Sequence, residues 1–376
     1  MPIFFLLVHG SHGRACDLDF LASCIQDRFA SSLCLQSRAN EWLDTNDGLL
    51  TCGSRLADEV IGFLSQSTTP EDSVTSEGPL QLVVIGHSLG GLILRAALPK
   101  ILESSPRILV PTSYVSLQTP HLGCRKPMGG VGSKLYRGLT NIILPLLAGP
   151  TGEQLLLNDE PQVLRRLANS TGEYLRSLQR FAHCTFVAMP HNDWLVPFCT
   201  ASVTPQHMHP EPDDNHPPFA VASYCGFSLK HEPFLQKVLY ESTAESCDCV
   251  FGCSTSRFPV RTVAPPPVVT ERGKGCATAG DPGTIVQGSS PGEIVATDHL
   301  KEVEYDPVMM HQLREGLPAL RNLNIQFGKT WVPVQYHMVP IHQGLGKIDA
   351  GIEFIDLLLD LISVDLQNVG TEVAAA

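Results

Sequence analysis

Gly86-His87-Ser88-Leu89-Gly90 sets a serine between glycines, after the apolar run Leu82–Ile85 and before Leu92, Ile93, Ala96 and Ala97 at helical spacing. A short Val- and Ile-rich run reads as a strand buried on both faces of a parallel sheet. Ser88 therefore falls where strand becomes helix, and glycines on either side remove the Cβ atoms that would collide across so sharp a bend. The bend exposes the hydroxyl beside a helix N-terminus, whose amides and dipole favour a developing negative charge. That arrangement suits acyl transfer. The rival reading is a glycine-rich turn holding an ordinary serine, and the strand and helix patterns around it argue for the nucleophile.

A serine hydroxyl needs a base to take its proton, and the base needs an acid to fix its tautomer. On folds with this turn the chain order is nucleophile, acid, histidine, each at a strand end. Asp193 in "MPHNDWLVP" follows the predicted strand Phe181–Ala188 and fits the acid; the alternative is a turn aspartate bonded to its own backbone. His342 in "MVPIHQGLG" fits the base, between a predicted strand Val332–Val339 and a predicted helix Gly351–Ile362. His337 competes with it, but side chains inside a strand point into packed faces and not over the strand's end. A tetrahedral intermediate also needs two N–H donors. Leu89, directly after the nucleophile, and Ser11, in the turn of "LLVHGSHG", are the candidates.

These residues require an α/β fold to position them. Ile3–Val8 and Ser113–Leu117 read as strands, and residues 17–32 and 54–65 as helices with one apolar face. The expected architecture is a mostly parallel central sheet with helices on both faces, in a single domain over residues 1–376. Helical stretches within 127–180 are expected to form a cap over the strand ends. Residues 205–298, dominated by Pro, Gly and Ser, read as a disordered low-complexity insertion. Order is expected to return with a helix at "VMMHQLREGLPAL" and a last strand at "TWVPVQYHMVPI".

With 376 residues, 43% hydrophobic and 17% charged, the chain can bury a sizeable core. A formal net charge of −12 disfavours nucleic acid as a partner. No run approaches the roughly 20 apolar residues that span a bilayer. "MPIFFLLVHG" lacks the basic region and cleavage site of a signal peptide, so a cytoplasmic location with reduced thiols is expected for the twelve cysteines. His207, His209 and His216 with Cys247, Cys249 and Cys253 match no zinc spacing, and no metal or cofactor is expected. Gly10–Gly13 is not a dinucleotide fingerprint.

Four stretches, "FLLVHGSHG", "LVVIGHSLGGLILRAAL", "YVSLQTPHLG" and "TGEQLLLNDEP" leading through "YLRSLQRF" to "HNDWLVPFCTASV", resemble the serine esterase, ROG-type lipase family of the α/β-hydrolase superfamily. The resemblance covers residues 3–203 and, more weakly, 303–362. It implies Ser88 as nucleophile, Asp193 as acid and a shaping role for His121 in "TPHLG". The family's histidine sits in an "AHN"-like turn, which reads "IHQ" here, and its "HGL" turn reads "HGS". The expected activity is hydrolysis of carboxylic esters, those of lipids such as acylglycerols or phospholipids, through an acyl-enzyme. Contact with membranes or lipid droplets would then be peripheral; the sequence leaves the oligomeric state open. The alternatives are an acyltransferase using the same triad and a non-catalytic scaffold binding a lipid or protein.

Overall fold

Ile3–Val8 is six apolar residues long, and all but the first are buried, because this strand, β1, has neighbours on both edges and helices on both faces. The computed structural model describes residues 1–66, 78–124, 148–190, 196–204, 219–239, 306–327 and 348–375. Six further strands are β2 (Leu33–Gln36), β3 (Leu80–His87), β4 (Leu109–Leu117), β5 (His183–Ala188), β6 (Phe219–Cys225) and β7 (Leu320–Phe327). They lie in the order β2-β1-β3-β4-β5-β7-β6, and every adjacent pair is parallel except β6 with β7.

The helices are α1 (Asp19–Arg28), α2 (Leu49–Gln66), α3 (Leu89–Ser104), α4 (residues 148–155), α5 (Val163–Ala168), α6 (Glu173–Gln179), α7 (Phe198–Ser202), α8 (Glu232–Lys237), α9 (Pro307–Gly316) and α10 (Ile348–Ala375). Alternation along the strands sorts them into two layers. Phe4, Leu6, Leu82 and Val84 share a core with α2, α3, α5, α6 and α9, while Phe5, Leu7, Val83 and Ile85 share another with α1 and α10. This is the α/β-hydrolase architecture. Because β1, β3, β4 and β5 run parallel, the residues that follow them gather at one edge of the sheet.

Several expected elements lie elsewhere. Within the stretch 205–298, read as an insertion, β6 and α8 belong to the fold. Phe219 and Val221 are buried, and β6 pairs antiparallel along β7. β7 had no counterpart in the sequence reading, and the expected last strand, "TWVPVQYHMVPI", lies outside the described residues. Helices α5 and α6, from the stretch expected to cap the strand ends, bury Leu164, Leu167, Leu175 and Leu178 in the α3 layer. Helix α10 begins at Ile348 and runs on to Ala375, since Val364, Leu366 and Val369 extend its buried stripe beyond Ile362. β2 had no sequence signal; it is four half-buried residues on the sheet edge. Among the described residues no helix is long and apolar enough to cross a membrane.

Away from the edge that carries Ser88, α10 is tied to the sheet by charge. Asp365, fully buried, accepts two bonds from the Arg321 guanidinium, both 2.7 Å, and further bonds from Ser113 Oγ at 3.0 Å and His231 Nε2 at 2.9 Å. Burial alone would raise its pKa, but the Arg321 charge and these hydrogen bonds outweigh it and hold the carboxyl at about 2. A depressed carboxylate stabilises the fold above its unfolded pKa of about 4 and loses that contribution as pH falls through about 2, here about 2–3 kcal/mol. Asp365→Asn should therefore cost about 3–5 kcal/mol near neutral pH by leaving Arg321 buried and uncompensated. Urea midpoints should show the gap between variant and wild type narrowing from pH 4 towards pH 2.

Candidate active site

One residue separates β3 from α3. Ser88 occupies φ 51°, ψ −123°, a backbone region that costs a non-glycine residue on the order of 1–3 kcal/mol. Its amide donates to Leu117 O at the end of β4, 2.8 Å away, and its carbonyl accepts from Gly91 N at 3.2 Å. The glycines around it are required by backbone contact. A Cβ on Gly86 would lie 2.5 Å from Gly91 N, and one on Gly90 would lie 2.3 Å from Val8 O and 2.5 Å from His9 O. The start of α3 is thus pressed onto the end of β1, and the Leu89 amide opens the helix beside the half-buried Ser88.

The turn after β1 meets the serine directly. A Cβ on Gly10 would stand 3.0 Å from Ser88 Cβ. Gly13 N donates to Gly10 O at 3.1 Å, and His9 Nδ1 lies 2.9 Å from the same oxygen. Ser11 sits exposed in this turn, between Gly10 and a His12 held at φ 53°. The structure therefore brings Ser88, Leu89 and the Ser11 turn together. Asp193 and His342, like His337, lie outside the described residues.

The ends of the segment that carries Asp193 are nonetheless tied to this edge. Gln118, buried at φ 51° just after β4, accepts from Met189 N at 2.8 Å and donates from Nε2 to Val196 O at 3.1 Å. One side chain thus spans residues 189 to 196, next to the carbonyl that receives the Ser88 amide. Sequence reasoning missed Gln118; its signal was a lone amide between a strand and "TP".

His87, directly before the serine, and His121, just past β4, are both buried histidines. Burial, reinforced by His9, pushes His87 down to about 4. His121 is fully buried, its Nε2 2.8 Å from Ser116 Oγ and its Nδ1 3.2 Å from Arg95 Nη1, with its ring stacked 3.9 Å from Phe186. Burial and then the Arg95 charge hold it well below the usual histidine range. Its amide also bonds Thr200 O at 3.2 Å, joining β4 to α7, so "TPHLG" braces the site from behind. Arg95 is the buried charge of α3, itself lowered to about 10 by burial. Burial thus biases both histidine rings towards the neutral form. Among the described residues no group of His, Cys, Asp and Glu could hold a metal ion.

Residues 3–204, just over half of the chain, match the family described as "Putative serine esterase (DUF676)". No curated protein matches. Among solved structures, an extracellular alpha/beta-hydrolase from a Paenibacillus species is 15% identical with a TM-score of 0.24, over 38% of this chain and 52% of that one. A lipase-esterase related protein from Clostridium acetobutylicum is 17% identical with a TM-score of 0.26, over 53% and 79%. Phospholipase PlaB from Legionella pneumophila is 11% identical with a TM-score of 0.33, over 50% and 38%. The chain spans about half the length of the Paenibacillus hydrolase it matches.

Because two carbonyl oxygens close on Gly90, Gly90→Ala should destabilise the fold by about 3 kcal/mol or more, read as a lowered urea midpoint. Gly62, whose Cβ would meet nothing within 4 Å, is the control. Gly62→Ala in the middle of α2 should be neutral or stabilising by up to about 1 kcal/mol.

Proposed function

The chain belongs to the DUF676 serine esterase family, and on that premise we propose that it hydrolyses carboxylic esters, those of lipids, through an acyl-enzyme on Ser88. The observation that carries the reading is the serine on a strained strand-to-helix turn, with the Leu89 amide and the His9–Gly13 turn against it. In the proposed reaction Ser88 Oγ bonds to the ester carbonyl carbon while its proton passes to His342. The carbonyl oxygen takes the negative charge and is met by the amides of Leu89 and Ser11. His342 then returns the proton to the leaving alcohol oxygen as the C–O bond breaks, and water repeats the sequence to free the acid. Asp193 orients His342 and stabilises its charged form.

The choice of His342 over His337 rests on the glycines of "HQGLGK" directly before α10. It rests also on the sequence pattern, in which His337 falls inside the run Val332–Val339 and His342 follows it. Support for a lipid ester comes from Trp42 and Leu43, 50% and 70% exposed, on a segment bonded to the His9–Gly13 turn through Trp42 N and Gly13 O at 2.9 Å. Exposed Trp and Leu on a segment bonded to the turn that meets Ser88 suit peripheral contact with a lipid surface.

Ser88→Ala should abolish ester hydrolysis and labelling by a fluorophosphonate probe, with stability changed by less than about 1 kcal/mol. Full activity in folded Ser88→Ala would overturn the reading, and an unlabelled wild-type protein would favour a binding scaffold. His342→Ala should lower kcat at least about 10³-fold and His337→Ala less than about tenfold. In the wild type, activity should fall as pH drops through about 6–7, where a histidine base takes up its proton. A dead His337 variant would reverse the assignment.

A further inference from the structure

The geometry points to Thr45 as a positioning residue that holds the His9–Gly13 turn in the shape that receives the oxyanion. This rests on the reading of Ser88 as nucleophile and of that turn as its second amide donor. Thr45 is fully buried in the single-turn helix Trp42–Asn46, with no part in the elbow itself. Its hydroxyl accepts from His12 N at 3.1 Å and donates to Trp42 O at 2.7 Å. The same short segment grips the turn twice more, through Gly13 O with Trp42 N at 2.9 Å and His12 Nε2 with Asn46 Oδ1 at 3.0 Å. Both sides of this clamp are strained, His12 at φ 53° and Trp42 at φ 55°, values that non-glycine residues keep only where their surroundings impose them.

The clamp is itself anchored. Thr151 Oγ1 donates to Thr45 O at 2.6 Å and accepts from Gly48 N at 3.0 Å, so α4 fixes Thr45 from the side away from the turn. The Arg14 guanidinium lies 3.9 Å from the centre of the Trp42 ring, and Ala15 N donates to Glu41 at 3.0 Å. Ser11 stands between Gly10, which touches Ser88, and His12, which Thr45 holds. An oxyanion donor contributes most when it is aimed before the charge develops, because no reorganisation is then needed during the reaction. Releasing His12 from Thr45 would let the turn relax towards an ordinary backbone conformation and take the Ser11 amide off its aim.

The test compares Thr45→Val, which deletes both hydroxyl bonds at nearly constant volume, with Thr45→Ser, which keeps them. With p-nitrophenyl butyrate, Thr45→Val should lower kcat about 10- to 100-fold with KM within about threefold, and Thr45→Ser should stay within about threefold of wild type. Fluorophosphonate should label Ser88 in Thr45→Val to completion but more slowly by a similar factor, since the phosphonyl oxygen uses the same donors. Asn46→Ala cuts the clamp on its half-buried side and should show the same pattern at about 3- to 10-fold, providing the readout should Thr45→Val not fold. The inference is overturned by a normal kcat in folded Thr45→Val, by a normal kcat in Asn46→Ala where Thr45→Val does not fold, by a smaller labelled fraction at a normal rate, or by a serine variant as impaired as the valine. An unlabelled wild-type protein overturns the nucleophile reading and this one with it; a labelled wild type with indifferent clamp variants overturns this one alone.

Discussion

The contact of the α3 start with the end of β1 sets the geometry of everything at that edge. Gly90 has room for no more than a hydrogen where Val8 O and His9 O approach it, and Gly86 and Gly91 are as tightly placed. Three glycines let one residue turn the chain from strand to helix, and that residue takes up the strain. The same contact brings the turn after β1 against Ser88, so the proposed nucleophile and its candidate donors are set by one packing constraint. A larger residue at any of these glycines would move all of them together.

Polar side chains then fix what the backbone contact leaves free. Gln118 spans the two ends of the 190–195 segment, Thr45 grips the turn after β1, and His121 with Ser116 and Arg95 braces β4 against α3 and α7. Each is buried, and Gln118 and Thr45 satisfy amides and carbonyls that a loop would otherwise leave unpaired. The Asp365–Arg321 pair serves another purpose, joining α10 to β4, β5 and β7 through one buried carboxylate. The buried carboxylate–guanidinium pairing thus lies away from Ser88.

Where the sequence was legible, the cause was local. β1, β3 and the elbow lie in runs whose apolar pattern, glycines and helical spacing fall within about twenty residues, so short-range sterics specify them. β7 shows the opposite case. Its sequence "LRNLNIQF" alternates apolar residues with Arg321, Asn322, Asn324 and Gln326, all four buried. Such a run reads as exposed and polar until the partners of Arg321 arrive from residues 185 and 365. β6 hid for a related reason: within a Pro- and Gly-rich stretch, only its pairing with β7 makes it a strand.

The sequence by itself determined the α/β class, the serine at its turn and the oxyanion candidates on either side of it. Those are properties of residue type and near-neighbour spacing. Tertiary structure alone decided that Thr45 meets His12 across 33 positions, that Gln118 closes on residues 189 and 196, that His121 is a buried brace, and that β7 and β6 complete the sheet. Each of these depends on a hydrogen-bonding or packing partner distant in the chain, and a polar group's role is fixed by the partner it finds when water is removed.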